Sequence, residues 1–304
     1  KLIENHLPAA LKQCNLYIQD KKAFKCNTLL VNLKRIHGES DSLNYMQIKI
    51  LKSNKQYSEA LTLYEKMFST NQSVQIKKIG VSLYMLNNKY KEALIVINEL
   101  LEQSPTELNY QLTKSDVLIE LNEFSQANTI LGKVLELQPD SLKTKFNQAL
   151  ILYLQKQYYE AQKQAEKLLI NEPNSFRLYT LLGNALLGQK KFEPALDAFL
   201  KAQKFSSNNP AALEKIVKLY RMSGKLELAL EELNKLGKQF FLEPKYIQQK
   251  AEIYVIQEEY EQAAREFKLL YGLWADNHQL LLVLAQMQRE AKLYQAAEVS
   301  LMKS

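Results

Sequence analysis

Apolar and small residues along this chain fall on a repeating frame. An alanine returns every 34 positions, as Ala93, Ala127, Ala161, Ala195, Ala229, Ala263 and Ala297, with Ala60 standing 33 before the series. Three residues before it comes an aromatic in seven of eight cases: Tyr57, Tyr90, Phe124, Tyr158, Phe192, Tyr260 and Tyr294, with Leu226 the exception. Four residues after it stands Tyr64, Ile97, Leu131, Ala165, Phe199, Leu233, Phe267 or Leu301, and seven after it Met67, Leu100, Val134, Leu168, Ala202, Leu236 or Leu270. Offsets of this kind share one face of an α-helix, so each alanine marks a helix with a buried stripe.

A second, mostly small residue precedes the alanine by twelve: Ser115, Ala149, Gly183, Ala251 and Ala285, with Val81, Val217 and Ile48 elsewhere. Two small residues at fixed points, one per helix, let antiparallel backbones approach closely while the neighbouring aromatic fills the wider gap. Each repeat is therefore predicted to be a helical hairpin. Pro105, Pro139 and Pro173 follow their alanines by twelve and are expected to end the second helix, since proline cannot continue its hydrogen-bond ladder. Pro210 and Pro244 fall slightly later in the frame and open the next repeat. A fixed period of this length predicts a solenoid, whose core lies between neighbours.

The pattern resembles the tetratricopeptide repeat family. The resemblance is clearest from Phe176 to Asn209, where Tyr179, Leu182, Gly183, Leu186, Phe192, Ala195, Phe199 and Ala202 occupy signature positions. It implies an all-α fold, a right-handed superhelical solenoid of antiparallel hairpins. Repeats are expected near 7–40, 41–73, 74–107, 108–141, 142–175, 176–209, 210–243, 244–277 and 278–304, the last incomplete, forming a single array over 1–304. The chain opens on Lys1 rather than methionine and stops at Ser304 inside an expected helix, so it is read as part of a longer protein.

Eight glycines, with no glycine-rich phosphate-loop string, give no sign of a nucleotide site, and no cofactor is indicated. No apolar run reaches the roughly 18 residues of a membrane span, and the residues from Lys1 to Leu11 do not read as a secretory leader. Cytoplasmic and periplasmic locations both stay open. Cys14 and Cys26 fall at the two small positions of the first repeat and should face each other. Two readings are open: a pair of small buried thiols, or a disulfide, which would favour an oxidising compartment. With no neighbouring ligand set they do not compose a metal site.

The three histidines, His6, His37 and His278, sit at scattered repeat positions beside no nucleophile or carboxylate pair, so no catalytic residues and no enzyme are read. The formal net charge of +7 spreads over nearly nine repeats, whereas nucleic-acid binding usually draws on a concentrated basic stripe. The expected partner is a protein or peptide.

In arrays of this family the first helices line a concave groove, through positions 2, 5, 6, 9, 12 and 13 of each repeat. The resemblance places there Lys143, Phe146, Asn147, Leu150, Tyr153 and Leu154, then Arg177, Thr180, Leu181, Asn184, Leu187 and Gly188, then Ala211, Glu214, Lys215, Lys218, Arg221 and Met222. That is an apolar floor with amides followed by a cationic cluster, suited to an extended peptide or short helix. The clamp by which some members hold an acidic chaperone tail is not reproduced, since Lys78, Ser82, Thr113, Lys143 and Asn147 stand where its Lys, Asn, Asn, Lys and Arg would be. A non-catalytic scaffold centred on 142–243 is thus expected. The alternative is the repeat segment of a larger exported protein for polysaccharide assembly or secretion, or of a repeat-bearing transferase. Self-association through uncapped ends is a further expectation.

Overall fold

The structure, a computed structural model, describes residues 6–20, 22–69, 71–206, 210–239, 243–274 and 277–304. Among these there are helices and turns and no strands. The chain is an all-α solenoid of hairpins, and it groups into two compact units, Lys1–Ile151 and Leu152–Ser304.

The N-terminal unit runs α1 (Leu7–Gln19), α2 (Ala23–His37), α3 (Asp41–Ser53), α4 (Tyr57–Phe68), α5 (Val74–Leu86), α6 (Tyr90–Gln103), α7 (Leu108–Glu120), α8 (Phe124–Leu137) and most of α9 (Leu142–Leu154). In the C-terminal unit follow α10 (Tyr158–Asn171), α11 (Phe176–Gly188), α12 (Phe192–Phe205), α13 (Pro210–Met222), α14 (Leu226–Gln239), α15 (Pro244–Ile256), α16 (Tyr260–Leu273), α17 (His278–Glu290) and α18 (Tyr294–Lys303). Within each unit the two helices of a hairpin pack on one another, as in α5 with α6 and α11 with α12, and second helices also pack on the first helix of the next hairpin, as in α6 with α7 and α16 with α17.

The alanine frame is the buried seam. Seven of its eight members, from Ala60 to Ala263, are fully buried, and Ala297 is nearly so. The facing small residues Ile48, Val81, Ser115, Ala149, Val217, Ala251 and Ala285 are also buried. Gly183 shows why size matters here: a Cβ added to it would lie 2.8 Å from the ring of Phe199, itself fully buried. Any side chain at 183 would push that ring out of its slot, and overpacking of this kind costs roughly 1–3 kcal/mol.

The helix ends follow from the same frame. α6, α8 and α10 each stop two residues before Pro105, Pro139 and Pro173, and Pro210 and Pro244 occupy the first positions of α13 and α15. The imidazole of His6 accepts the Ala9 amide at 3.4 Å and so caps α1, while His278 opens α17. Within most hairpins the first helix closes on one left-handed residue: Lys55, Asn88, Asn122, Lys156, Lys190, Gly224, Glu258 and Lys292, with φ between 58° and 71°. The next residue donates its amide five positions back, as Gln56 to the Leu51 carbonyl at 2.9 Å and Lys191 to that of Leu186 at 3.0 Å. This is the Schellman closure, which satisfies carbonyls the helix end would otherwise leave bare. Only Gly224 meets the backbone demand without a Cβ penalty.

At the first hairpin Cys14 and Cys26 are both fully buried and both free thiols, and the Cys14 Sγ donates to the Cys26 carbonyl at 3.5 Å. The Cys26 thiol is pushed up by its contact with Cys14 and by burial, which keeps it protonated at neutral pH.

Candidate binding clefts on the first helices

The first helices of neighbouring hairpins lie side by side, and polar side chains stitch them together at a regular offset. On the N-terminal unit the Asp116 carboxylate of α7 accepts from Lys143 Nζ at 3.0 Å and from Asn147 Nδ2 at 2.6 Å, both on α9. On the C-terminal unit Glu214 of α13 accepts from Lys245 Nζ and the Tyr246 hydroxyl of α15, each at 2.7 Å, and Arg221 donates to Glu252 at 2.9 Å. Burial pushes the Glu214 carboxyl up, but the hydrogen bonds from Lys245 and Tyr246 outweigh it and hold the group below the ordinary carboxylate range. The pairs 116 with 147, 214 with 245 and 221 with 252 are each 31 residues apart.

Two clefts open between such helices. One, of about 690 Å³, lies on the N-terminal unit between α5 and α7, lined by Val81, Met85, Leu86, Ile97, Leu100 and Tyr110 among others. Its polar rim is already engaged. Lys78 stands over the Tyr110 ring with Nζ 5.2 Å from the centroid, and that tyrosine holds the ammonium above its ordinary value. Ser82 accepts from Lys52 at 2.7 Å, and Asp116 is held as described.

The other, of about 670 Å³, lies on the C-terminal unit between α13 and α15, lined by Glu214, Lys215, Lys218, Arg221, Met222, Leu226, Gln249 and Ile256. Here Lys218 is exposed, and among the described residues neither it nor Lys215 has an ion-pair or hydrogen-bond partner; Lys215 exerts only a through-space pull on Glu214. At the far end Met222 and Ile256 are 56% and 60% exposed. The cleft is cationic at one end and aliphatic at the other.

Residue 155 to residue 210, which spans α10 to α12, matches the tetratricopeptide repeat family model. That segment matches the tetratricopeptide repeat, and the hairpins before and after it repeat the same fold. The chain's repeats are similar in fold to PilW, a widely conserved type IV pilus biogenesis factor, at 19% identity and a TM-score of 0.57 over 71% of this chain and 100% of that one. They are similar also to PilF of Pseudomonas aeruginosa, at 18% and 0.53 over 69% and 97%. A third likeness is to the Cut9–Hcn1 hetero-tetramer of the APC/C, at 12% and 0.51 over 98% of this chain and 60% of that one. No curated protein matches the chain.

Within the repeats, the residues assigned to a groove divide between the two units. Lys143, Phe146, Asn147 and Leu150 sit on the part of α9 that belongs to the N-terminal unit, where Lys143 and Asn147 are spent on Asp116 and Asn147 is buried. Tyr153 lies in the C-terminal unit, its ring 5.8 Å from that of Tyr158. Arg177 is exposed on α11, Asn184 is half-buried, and Leu181 is buried at 3% exposure and faces the core. Lys215, Lys218 and Arg221 are brought together, with Met222, in one cleft. The α5–α7 cleft has no counterpart among the residues assigned from the sequence. The signal that distinguishes a stitched polar group from a free one is the residue 31 positions on. Asp116 meets Asn147 there, while Lys218 meets the neutral Gln249.

No helix among the described residues is long and apolar enough to cross a membrane.

Proposed function

We propose that this protein is a non-catalytic scaffold that binds an extended segment of a partner protein along the first-helix face of its C-terminal unit, at the α13–α15 cleft. The observation that carries this is the pair Lys215 and Lys218, unpartnered among the described residues within a cleft whose Glu214 and Arg221 are committed to holding the repeats together. Solvated cations without partners add little to a fold, and they retain their capacity to recognise a ligand. A cavity of about 670 Å³ falls in the range that holds a few side chains of a peptide.

The test is selection of linear peptides from a displayed library on the chain, with binding of the selected peptides then measured on Lys215→Ala, Lys218→Ala. Loss of affinity by about tenfold or more with the thermal melt of the double variant nearly unchanged supports the reading. Peptides that bind the double variant as tightly as the parent overturn it.

A further inference from the structure

Resting on that reading, we infer that the α13–α15 cleft selects by register: it takes a segment carrying a side-chain carboxylate with an aliphatic side chain two residues away. Lys215 and Lys218 project from the second and third turns of α13, and Met222 lies one turn beyond Lys218 on the same helix. A turn advances the helix by about 6 Å over four residues, and an extended chain covers about 6.6 Å in two. Side chains at i and i+2 of an extended segment also point the same way. A carboxylate seated on the lysines therefore places the second side chain to its own side over Met222, Leu226 and Ile256, while the intervening residue points outward and is unspecified.

The charge balance of the cleft fixes the sign of the ligand. Glu214 is neutralised by Lys245 and Arg221 by Glu252, so the residual charge is that of Lys215 and Lys218. An acidic ligand gains two unpaired cations, and a basic one meets repulsion with no carboxylate free to answer it. The exposed Met222 and Ile256 supply what a purely electrostatic site lacks, an apolar wall that discriminates among acidic segments. Among the described residues no aromatic side chain lines the cleft, so they offer no platform on which a nucleotide base could stack.

The probes are ten-residue peptides in a neutral background, acetylated and amidated so that the side chain supplies the only carboxylate: one with Glu-Ser-Leu, one with Glu-Leu-Ser, one with Gln-Ser-Leu, one with Lys-Ser-Leu, and the reversed Leu-Ser-Glu. Fluorescence anisotropy at moderate salt is expected to show binding of Glu-Ser-Leu or of its reversal, with a loss of about tenfold or more on changing glutamate to glutamine and on closing the spacing. On Lys215→Glu, Lys218→Glu the preference should invert toward Lys-Ser-Leu. Equal binding of the Glu-Ser-Leu and Glu-Leu-Ser peptides overturns the register, and indifference to the charge reversal overturns the site. Tighter binding of a single-stranded oligonucleotide of the same length, abolished by the same two substitutions, would also overturn it. If library-selected peptides bind at this cleft but carry no such spacing, the inference fails while the broader function stands. If no selected peptide is sensitive to the cleft at all, both fail.

Discussion

The α5–α7 cleft and the α13–α15 cleft are nearly equal in volume and are built from corresponding helices, yet they differ in what their polar groups are doing. In the first, Lys78 lies on Tyr110, Ser82 is taken by Lys52, and Asp116 is shared by Lys143 and Asn147. In the second, the stitching is done by Glu214 and Arg221, and two lysines are left over. Similar cavities on the same scaffold are thus not equivalent as ligand sites. On the proposed function, the polar groups left after the repeats have been joined are the ones a charged partner would meet.

The largest expected effect of breaking this contrast is at Asp116. Asp116→Ala strips the buried Asn147 amide of its acceptor and should destabilise the N-terminal unit by roughly 1–3 kcal/mol, read in a urea melt. Next comes the left-handed turn, which lysine carries in some hairpins and asparagine in others. Lys190→Gly relieves a left-handed lysine in the C-terminal unit and should stabilise by about 1 kcal/mol, whereas Asn88→Gly in the N-terminal unit should gain less, because asparagine already tolerates that conformation. Melting of the two variants in parallel would test the difference in size.

A smaller effect is expected from acid. The Glu214 carboxyl is held below its ordinary value, so its stitch to Lys245 and Tyr246 contributes fully above the unfolded glutamate value of about 4.3 and is lost as pH falls through the lowered one. Glu214→Gln should therefore lessen the fall in stability between pH 7 and pH 3 relative to the parent, and an unchanged profile would remove Glu214 from the account. Smallest of all, Lys218→Ala should change stability by no more than about 0.5 kcal/mol, since the side chain holds nothing within the fold. A large loss on that substitution would erase the distinction between the clefts.

The fold could be read from the sequence because the solenoid repeats its steric demands. Ala195, Gly183 and Phe199 are seen by their recurrence, and burial at those points follows from close helix approach. The left-handed turn recurs just as regularly but is carried by Lys55, Lys156, Lys190, Glu258 and Lys292 as well as by Gly224, and residues so unlike share no chemical signature. Surrounding packing fixes their backbone. The site was legible only in part for a related reason. Counting along the frame gathers Lys215, Lys218, Arg221 and Met222, yet it says nothing of whether a given polar side chain is occupied, which depends on a residue in the following hairpin. Leu181 is assigned to an open groove by position, and in the fold it is buried.

The separation of 27 to 32 residues between these stitched partners, about one repeat, bears on how such a chain can be recombined. Because 214 bonds 245 and 221 bonds 252, a hairpin excised at its own boundaries takes with it half of each bond and abandons the other half. A graft that also carried the next first helix would keep donor and acceptor together. The smallest transplantable segment is therefore three helices long, and chimeras joined after two should be soluble less often than those joined after three.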